Sequence, residues 1–530
     1  RKEASHTLGQ RFVATARRNW RKRAIADSSG KSMSYGESLI ASMLLQRSIE
    51  QQLDEQQQVG VLLPPSTAGA LSNIALTMAG RVPINLNYSS SIASVESALA
   101  QAGVTRIISS RKFLEKLGWQ SLPGQVICLE DIKPDPSISE LARTWLAARL
   151  APIASLASGA DGPDQLATVI FSSGSTSEPK GVMLSHANIL SNIDALNMLF
   201  SVAPQDNMCG VLPFFHSFGF TGTLWFPLLS GFSAVYHPTP LDSKRIVAAI
   251  KQHHSSFLLA TPTFLGSYLR KASKEDFASL RVVISGAEKL GVKLAEDFQR
   301  KFGLPLLEGY GATELSPVAA ISLPDVAVAN VQQKGSASQS VGRPLPGVAV
   351  RIVDLDDGSL VAAGESGMIQ ICGPNVMLGY LGQAEKTAEV LQDGWYATGD
   401  VGSLDEKGFL RITGRLSRFS KIAGEMVPHG AIEEALVREL DSDETVVAVT
   451  AVPDSKKGER IVVIYRSAIA GIEKLSAIMD NSNLPNLWKP SVDSYIEVDE
   501  IPLLGSGKLD LRAIRAIADG TLSESSLSPV

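Results

Sequence analysis

Along most of the chain, short β-branched runs alternate with stretches whose apolar residues recur at helical spacing, which is the pattern of an α/β protein. The runs at residues 167–173, 182–185, 257–261 and 281–285 read as strands. Between them, residues 187–200 place Ile189, Ile193 and Leu196 on one stripe with Leu190 and Leu199 close by, as in a helix that covers a sheet. Two intervals, residues 56–80 and the stretch between Asp206 and Asp242, lack Asp, Glu, Lys and Arg and reach the length of a membrane span. Neither is expected to cross a bilayer. In the first, Pro64, Pro65, Ser66 and Thr67 separate a strand (59–63) from a helix. In the second, Pro213, His216, Gly219, Gly222, Pro227, Gly231 and Pro238 would leave backbone groups unpaired in lipid. Both read as buried core, with an apolar ligand channel as the alternative for the second. Residues 325–340 turn small and polar around Lys334, Gly335 and Ser336, a surface loop, and the Ser-rich residues 519–530 read as a frayed tail. No internal repeat is evident. A smaller α+β pattern begins near residues 414–417, so we expect a domain of residues 1–414 joined by a hinge to one of residues 415–530.

Composition narrows the function. A chain of 530 residues, 44% hydrophobic and 19% charged, exceeds one ordinary core and belongs with folded proteins of two or more domains. Its 49 Lys and Arg against 54 Asp and Glu leave a net charge of −5, too balanced for a protein that lives on nucleic-acid phosphates. Cys128, Cys209 and Cys372 show neither metal-ligand spacing nor a disulfide framework, which suits a reducing cytoplasm and indicates no catalytic thiol. The chain begins at Arg1 rather than Met, so we expect a segment of a longer protein or a trimmed one.

The strongest local motif is Phe171-Ser-Ser-Gly-Ser-Thr-Ser-Glu-Pro-Lys-Gly181, which leaves the strand at 167–173. Glycine and short hydroxyl residues let N–H and O–H groups converge on phosphate oxygens, and Lys180 adds a cation. It is not a Walker A loop, because Pro179 stands where glycine is required and a strand follows in place of a helix. Alone, such a turn binds phosphate no more often than it decorates a surface. Further motifs follow in order: Phe215-His-Ser-Phe-Gly219, Ser285-Gly-Ala-Glu-Lys-Leu290, Glu308-Gly-Tyr-Gly-Ala-Thr-Glu314, Trp395-Tyr-Ala-Thr-Gly-Asp400, Thr413-Gly-Arg415, Lys421-Ile-Ala-Gly424 and Leu504-Gly-Ser-Gly-Lys508. The ordered set resembles the adenylate-forming (ANL) superfamily of acyl-CoA synthetases, luciferases and peptide-synthetase adenylation domains, over nearly the whole chain.

The resemblance implies an α/β fold with a large, multi-subdomain N-terminal domain carrying the ATP and acyl sites. A smaller, mobile α+β C-terminal domain would carry the adenylation lysine. It implies ATP and Mg²⁺ as cofactors. Ser172, Ser173, Gly174, Ser175, Thr176 and Lys180 would cradle phosphates, and Thr176 and Glu314 would be the partners of a metal that prefers oxygen. Ala287, Glu288, Glu308, Gly309, Tyr310, Gly311, Ala312 and Thr313 would line the nucleotide, with Tyr310 stacked on adenine. Asp400 would accept the ribose hydroxyls beside Arg415. Lys508 would bridge the substrate carboxylate and the α-phosphate, an electrostatic role. Lys421 and Gly424 would serve thiol transfer after the small domain swings about its hinge. Two positions depart from the usual pattern: Ser177 replaces a glycine of the phosphate loop, and Ser417 replaces the acidic or lysine hinge residue.

The uncharged interval then points to an apolar acid. Phe214, Phe215, Phe218, Phe220 and Trp225 could wall an alkyl channel, no basic residue lies within it to pair with a second carboxylate, and His216 could gate it. Phe215, His216, Phe218, Gly286 and Gly311 are the expected acyl contacts. A closer likeness, carried by Arg418-Phe-Ser-Lys-Ile-Ala-Gly-Glu-Met-Val427 and Pro502-Leu-Leu-Gly-Ser-Gly-Lys508, is to the acyl-[acyl carrier protein] synthetase part of bacterial 2-acylglycerophosphoethanolamine acyltransferase/acyl-ACP synthetases. It implies activation of a medium- to long-chain fatty acid, with release of pyrophosphate, and transfer to the pantetheine thiol of holo acyl carrier protein, in phospholipid reacylation. A cytoplasmic place, a peripheral membrane association or a fused acyltransferase partner would go with it. Arg411, Arg415, Arg418 and Lys421 could meet an acidic carrier protein or form a solvated face. A fatty-acyl-CoA synthetase using CoA is the second reading, and a catalytically silent acyl- or nucleotide-binding regulator the third.

Overall fold

The computed structural model describes residues 6–119, 122–132, 135–157, 162–172, 179–328, 331–423, 425–440, 446–454, 457–468, 470–503 and 509–525. Its largest sheet has nine strands, centred on Asn207–Gly210, Phe257–Ala260, Val282–Ser285 and Leu306–Gly311, with Ser233–Tyr236 and Arg23–Asp27 on the other side. These six run parallel, with Leu258 opposite Val283 and Ile284 opposite Leu307. Covered on both faces, strands such as Val282–Ser285 and Phe257–Ala260 are buried at every position, which explains their unbroken apolar sequences. The antiparallel strands Val318–Ile321, Arg343–Pro344 and Ser32–Ser34 close its edges. A second parallel sheet joins Val82–Asn85, Gln58–Val61, Arg106–Ser109 and Gln125–Cys128.

The strand Leu166–Ser172 pairs antiparallel with Lys180–Ser185, so a strand does follow the Ser/Gly-rich turn, as expected. Ser185 then caps the helix His186–Leu199 through a reciprocal pair with Asn188. An antiparallel sheet built on Ser366–Cys372, Trp395–Leu404 and Leu410–Arg415 leads to the C-terminal part. There, Phe419–Ile422, Val447–Asp454, Gly458–Arg466 and Tyr495–Val498 form a separate sheet covered by the helices His429–Leu440, Ile472–Asn481 and Leu511–Ser525. One large buried cluster holds residues from Leu8 to Leu410, and buried clusters resume at Ile422 with no apolar cluster common to both parts among the described residues.

The first uncharged interval folds as the strand Gln58–Val61 and the helix Thr67–Met78, which is buried almost throughout. The second contains the helical turns Ser217–Gly219, Phe220–Trp225 and Phe226–Ser230, the middle one a single π-helical turn. Among the described residues no helix is long and apolar enough to cross a membrane. Two expectations fail. Residues 325–340 are not simply a loop, because Val326–Val328 pairs with Val331–Gln333 while the Asp325 carboxylate takes the Gly335 N–H. Of the tail expected to fray, residues 519–525 continue a helix that is started by the Asp510 carboxylate on the N–H groups of Arg512 and Ala513 and anchored by buried Ile514 and Ala518, while residues 526–530 lie outside the described residues.

Candidate active site

The C-terminal ends of the parallel strands are where an open α/β sheet exposes loop backbone to a ligand. Here they open on a cavity of about 1540 Å³. Val282–Ser285 delivers Gly286, Ala287 and Glu288 to its wall, and Leu306–Gly311 delivers Gly309 to Glu314. Ala287 holds a positive φ of 69°, a conformation costly for a residue with a Cβ and common where function fixes the backbone. Glycine is required at Gly311, whose added Cβ would run into the Pro317 carbonyl oxygen, and Gly286 leaves only 3.2 Å between an added Cβ and the Phe218 ring.

At the polar end, the Tyr310 hydroxyl donates to Asp400 Oδ2 at 2.6 Å, and Arg415 Nε lies 3.0 Å from Asp400 Oδ1. Arg415 and Asp400 face each other across paired strands, so the sheet register sets this contact. Burial, and then the Asp400 charge, push the Tyr310 phenol well above its ordinary value, and Asp400 raises that of Arg415. Tyr310 and Arg415 line the cavity, whereas Asp400 sits buried behind them and Glu308 accepts from the Leu290 N–H outside the lining. Burial raises the Glu308 carboxyl. Glu314 reaches the cavity with Oε1 held by the Tyr380 hydroxyl at 2.9 Å, and the Lys180 ammonium lies 5.1 Å from the centre of the Tyr380 ring. Ala312 and Thr313 also line it, Thr313 accepting a hydrogen bond from Ser217. Glu288 lines it too, accepting from the Thr263 hydroxyl at 2.7 Å.

The other end is apolar. Phe215, His216 and Phe218 face it with Leu212, Phe226, Leu259 and Ile284. The rings of Phe215 and Tyr88 meet edge to face at 4.8 Å, and those of Tyr88 and Phe113 at 5.1 Å. Phe214, Phe220 and Trp225, expected as possible channel walls, are fully buried in the core and do not line the cavity. The absence of a basic residue from residues 207–241 is also not the absence of cations from the site, since Lys112 and Lys116 of the helix Arg111–Leu117 join this wall. Tyr380, Tyr88 and the two lysines were missed because each lies in a different part of the chain from the motif it serves. The pairing of Gly379 and Tyr380 with the strand after the phosphate turn is what brings Tyr380 there, and that is a property of the fold.

Ser173, Gly174, Ser175, Thr176, Gly424 and Lys508 lie outside the described residues, as does the departure Ser177, and Ser172 is described only as the end of its strand. Leu509 and Leu511, just beyond Lys508, line the cavity with Ser417. Lys421 is not brought to the cavity: its ammonium pairs at the surface with Asp356 at 3.3 Å. A second surface pair, Lys289 with Glu434 at 2.6 Å, also joins the two parts of the molecule. Of the two expectations for the neighbouring cations, an acidic partner or a solvated face, the pairings fit the second. Arg411 is paired with Asp405 (2.9 Å), Arg415 with Asp400 and Arg418 with Glu433 (2.5 Å), so each cation already has its own carboxylate.

Comparison with known proteins accords with this geometry. A family profile described as AMP-binding enzyme matches residues 12–381. The long-chain-fatty-acid–CoA ligase of Bacillus subtilis (strain 168) is 33% identical over 358 residues, 66% of this chain but only 61% of that protein, less than two thirds of its length. A 3-[(3aS,4S,7aS)-7a-methyl-1,5-dioxo-octahydro-1H-inden-4-yl]propanoyl:CoA ligase of Mycobacterium tuberculosis is 29% identical over 476 residues, 87% of this chain and 89% of that one. Among solved structures, ATP-bound MatB from Rhodopseudomonas palustris superposes with a TM-score of 0.79 at 25% identity, covering 96% of this chain and 98% of that one. The Bacillus subtilis o-succinylbenzoate coenzyme A synthetase (MenE), solved with ATP and a magnesium ion, gives 0.80 at 21% identity, covering 96% and 99%, a likeness of fold. The fold is thus that of adenylate-forming enzymes, mixed α/β with a large N-terminal and a smaller C-terminal domain, and the chain belongs to the AMP-binding enzyme family.

Proposed function

We propose that this chain is an AMP-forming acid:thiol ligase that activates a fatty acid with ATP and passes the acyl group to the thiol of CoA. The observation that carries the reading is one continuous cavity, polar where Tyr310, Arg415 and Glu314 line it with Asp400 directly behind the first two, and apolar where Phe215, Phe218 and Leu259 do. Asp400 serves the ribose hydroxyls, since each of its oxygens, engaged once, keeps a second lone pair. Tyr310, fixed by its hydrogen bond, presents a ring face to adenine. Glu314 with Thr176 suits Mg²⁺, which takes one or two protein oxygens and completes its shell with phosphates and water. No group of three ligating side chains occurs among the described residues, and Mg²⁺ bound in this manner does not need one. The ion neutralises phosphate charge when bound.

In the first half-reaction a carboxylate oxygen of the acid forms a bond to the α-phosphorus as the bond to pyrophosphate breaks. Lys508 draws the two anions together. In the second, the thiol loses its proton to solvent, its sulfur bonds to the acyl carbon, and the bond from that carbon to the phosphate oxygen breaks as AMP leaves with the electron pair. Residues 415–530 act as the moving domain, with Ser417 in the hinge. Lys421, in its surface pair with Asp356, belongs to the second orientation with Gly424.

CoA is preferred as acceptor because relatives such as the Bacillus subtilis protein are named as CoA ligases. Acyl carrier protein is the second reading, favoured by the sequence at residues 418–427 and 502–508. A silent regulator fits poorly with Glu314 and Tyr310 lining the same cavity as the apolar wall. The test is to supply ATP, Mg²⁺ and medium- or long-chain acids with either CoA or holo carrier protein as sole acceptor, measuring AMP and thioester. Preference for carrier protein by an order of magnitude would overturn the acceptor. Failure of every acid to support pyrophosphate exchange would overturn the ligase.

A further inference from the structure

The helix Ile138–Leu150 turns apolar side chains outward. Ile138 is 89% exposed, Leu150 73%, Leu146 52%, Trp145 49% and Leu141 45%. Scattered apolar residues are ordinary on a protein surface, but five on one thirteen-residue helix are not. The helix is not a loosely attached element. Its inner side buries Thr144 and Ala148, and Arg17 holds its C-terminal end through the carbonyl oxygens of Ala148 (2.7 Å) and Ala151 (2.6 Å).

Cations gather beside its C-terminal half, with Glu37, next to Trp20, as an acidic neighbour there. Trp145 meets Trp20 edge to face at 6.3 Å, and the Arg149 guanidinium lies 4.9 Å from the Trp20 ring. This brings the sequence Arg17-Arg-Asn-Trp-Arg-Lys22 alongside, with Arg18, Arg21 and Lys22 exposed, as are Arg143 and Arg149 on the helix itself. The one carboxylate of the helix, Glu140, lies 3.8 Å from Arg47. A chain whose net charge is −5 thus places several cations beside this apolar helix face.

We propose that this face docks the protein on a lipid surface carrying anionic headgroups. Trp and Leu side chains enter the headgroup boundary while the flanking arginines and Lys22 meet lipid phosphate. A second copy of the chain would set these cations against one another. The docking is independent of which acid or acceptor the cavity takes, because it is read without turnover.

The test is sedimentation of the full chain with phosphatidylcholine vesicles, with and without phosphatidylglycerol. The wild-type chain should sediment with the anionic vesicles. The L146E/L150E variant should partition roughly a hundredfold less, about tenfold for each leucine withheld from the membrane. The R143E/R149E variant should lose the preference for phosphatidylglycerol. A control, L360E, alters another exposed leucine and should bind as wild type; unchanged melting temperatures verify folding. The proposal is overturned if the wild-type chain ignores anionic vesicles, or if L146E/L150E sediments like it. It is equally overturned if light scattering shows the wild-type chain as a dimer that L146E/L150E dissolves, or if only an acidic soluble protein binds this face.

Discussion

Replacing Asp400 by Asn separates a nucleotide role from a structural one. Asp400 is 5% exposed, and its two oxygens accept from Tyr310 at 2.6 Å and face Arg415 at 3.0 Å. The amide keeps the shape and can still serve both neighbours, with its oxygen toward Arg415 and its NH₂ toward the Tyr310 hydroxyl oxygen. The lost ion pair involves a largely exposed guanidinium, so its contribution to stability is less than about 1 kcal/mol and the melting temperature should move by no more than about 2 °C. What disappears is a charged acceptor for the ribose hydroxyls. Hydrogen bonds to a charged group contribute about 1.5–3 kcal/mol, equivalent to a rise of roughly 10- to 150-fold in KM for ATP. Pyrophosphate exchange at varied ATP, beside thermal melting, measures both. A KM for ATP within about twofold of wild type would refute the ribose assignment. A fall in melting temperature of more than about 5 °C would show instead that the charge holds the sheet together.

Lys508→Ala should nearly abolish acyl-adenylate formation while sparing thioester formation from supplied acyl-adenylate; equal loss of both half-reactions would remove Lys508 from its assigned role. Reversing the two cations of the acyl wall, K112E/K116E, should raise KM for the fatty acid about 3- to 10-fold at low salt, with KM for ATP unchanged. An effect that persists undiminished in high salt would count against attraction as its cause. His429, whose Nε2 lies 2.7 Å from the Ser420 hydroxyl, is held neutral by burial, its pKa lowered from 6.5 to about 3. The unfolded chain therefore binds more protons between those values, so the stability His429 contributes is complete above pH 6.5 and declines as pH falls toward 3. The slope is at most about 1.4 kcal/mol per pH unit. H429Q should flatten that decline in acid-denaturation curves, and an unchanged curve would exclude His429 as its source.

The alternation of strand and helix was readable because the central strands are covered on both faces, so that Phe257–Ala260 and Val282–Ser285 are uniform apolar runs. Their edges differ from the sequence reading by a residue or two where hydrogen bonding, not hydrophobicity, ends the strand. The polar end of the cavity was legible because it is local: residues 309–314 run off the end of one strand and reach the cavity together. The acyl end was only half legible. Phe215 and Phe218 lie in one motif, but Tyr88, Phe113, Lys112 and Lys116 come from another sheet layer, and no spacing in the sequence announces their approach. The sequence left the neighbouring cations open between a partner surface and a solvated face. Arg411, Arg415, Arg418 and Lys421 alternate around strand and turn, and each is satisfied separately. The helical course of residues 519–525 was hidden because the residues that anchor this helix, Ile514 and Ala518, lie before the Ser-rich stretch.

The seam between the large and small parts carries solvated ion pairs, Lys289 with Glu434 and Lys421 with Asp356, and no apolar cluster spans it among the described residues. Such contacts are each worth about 1 kcal/mol or less, and water takes over their polar groups as soon as they part. A rotation that had to uncover a greasy interface on every catalytic cycle would meet a steep barrier. One that merely exchanges surface partners can recur at the pace of turnover, so under the proposed function the looseness of this joint would let a single cleft serve two successive displacements.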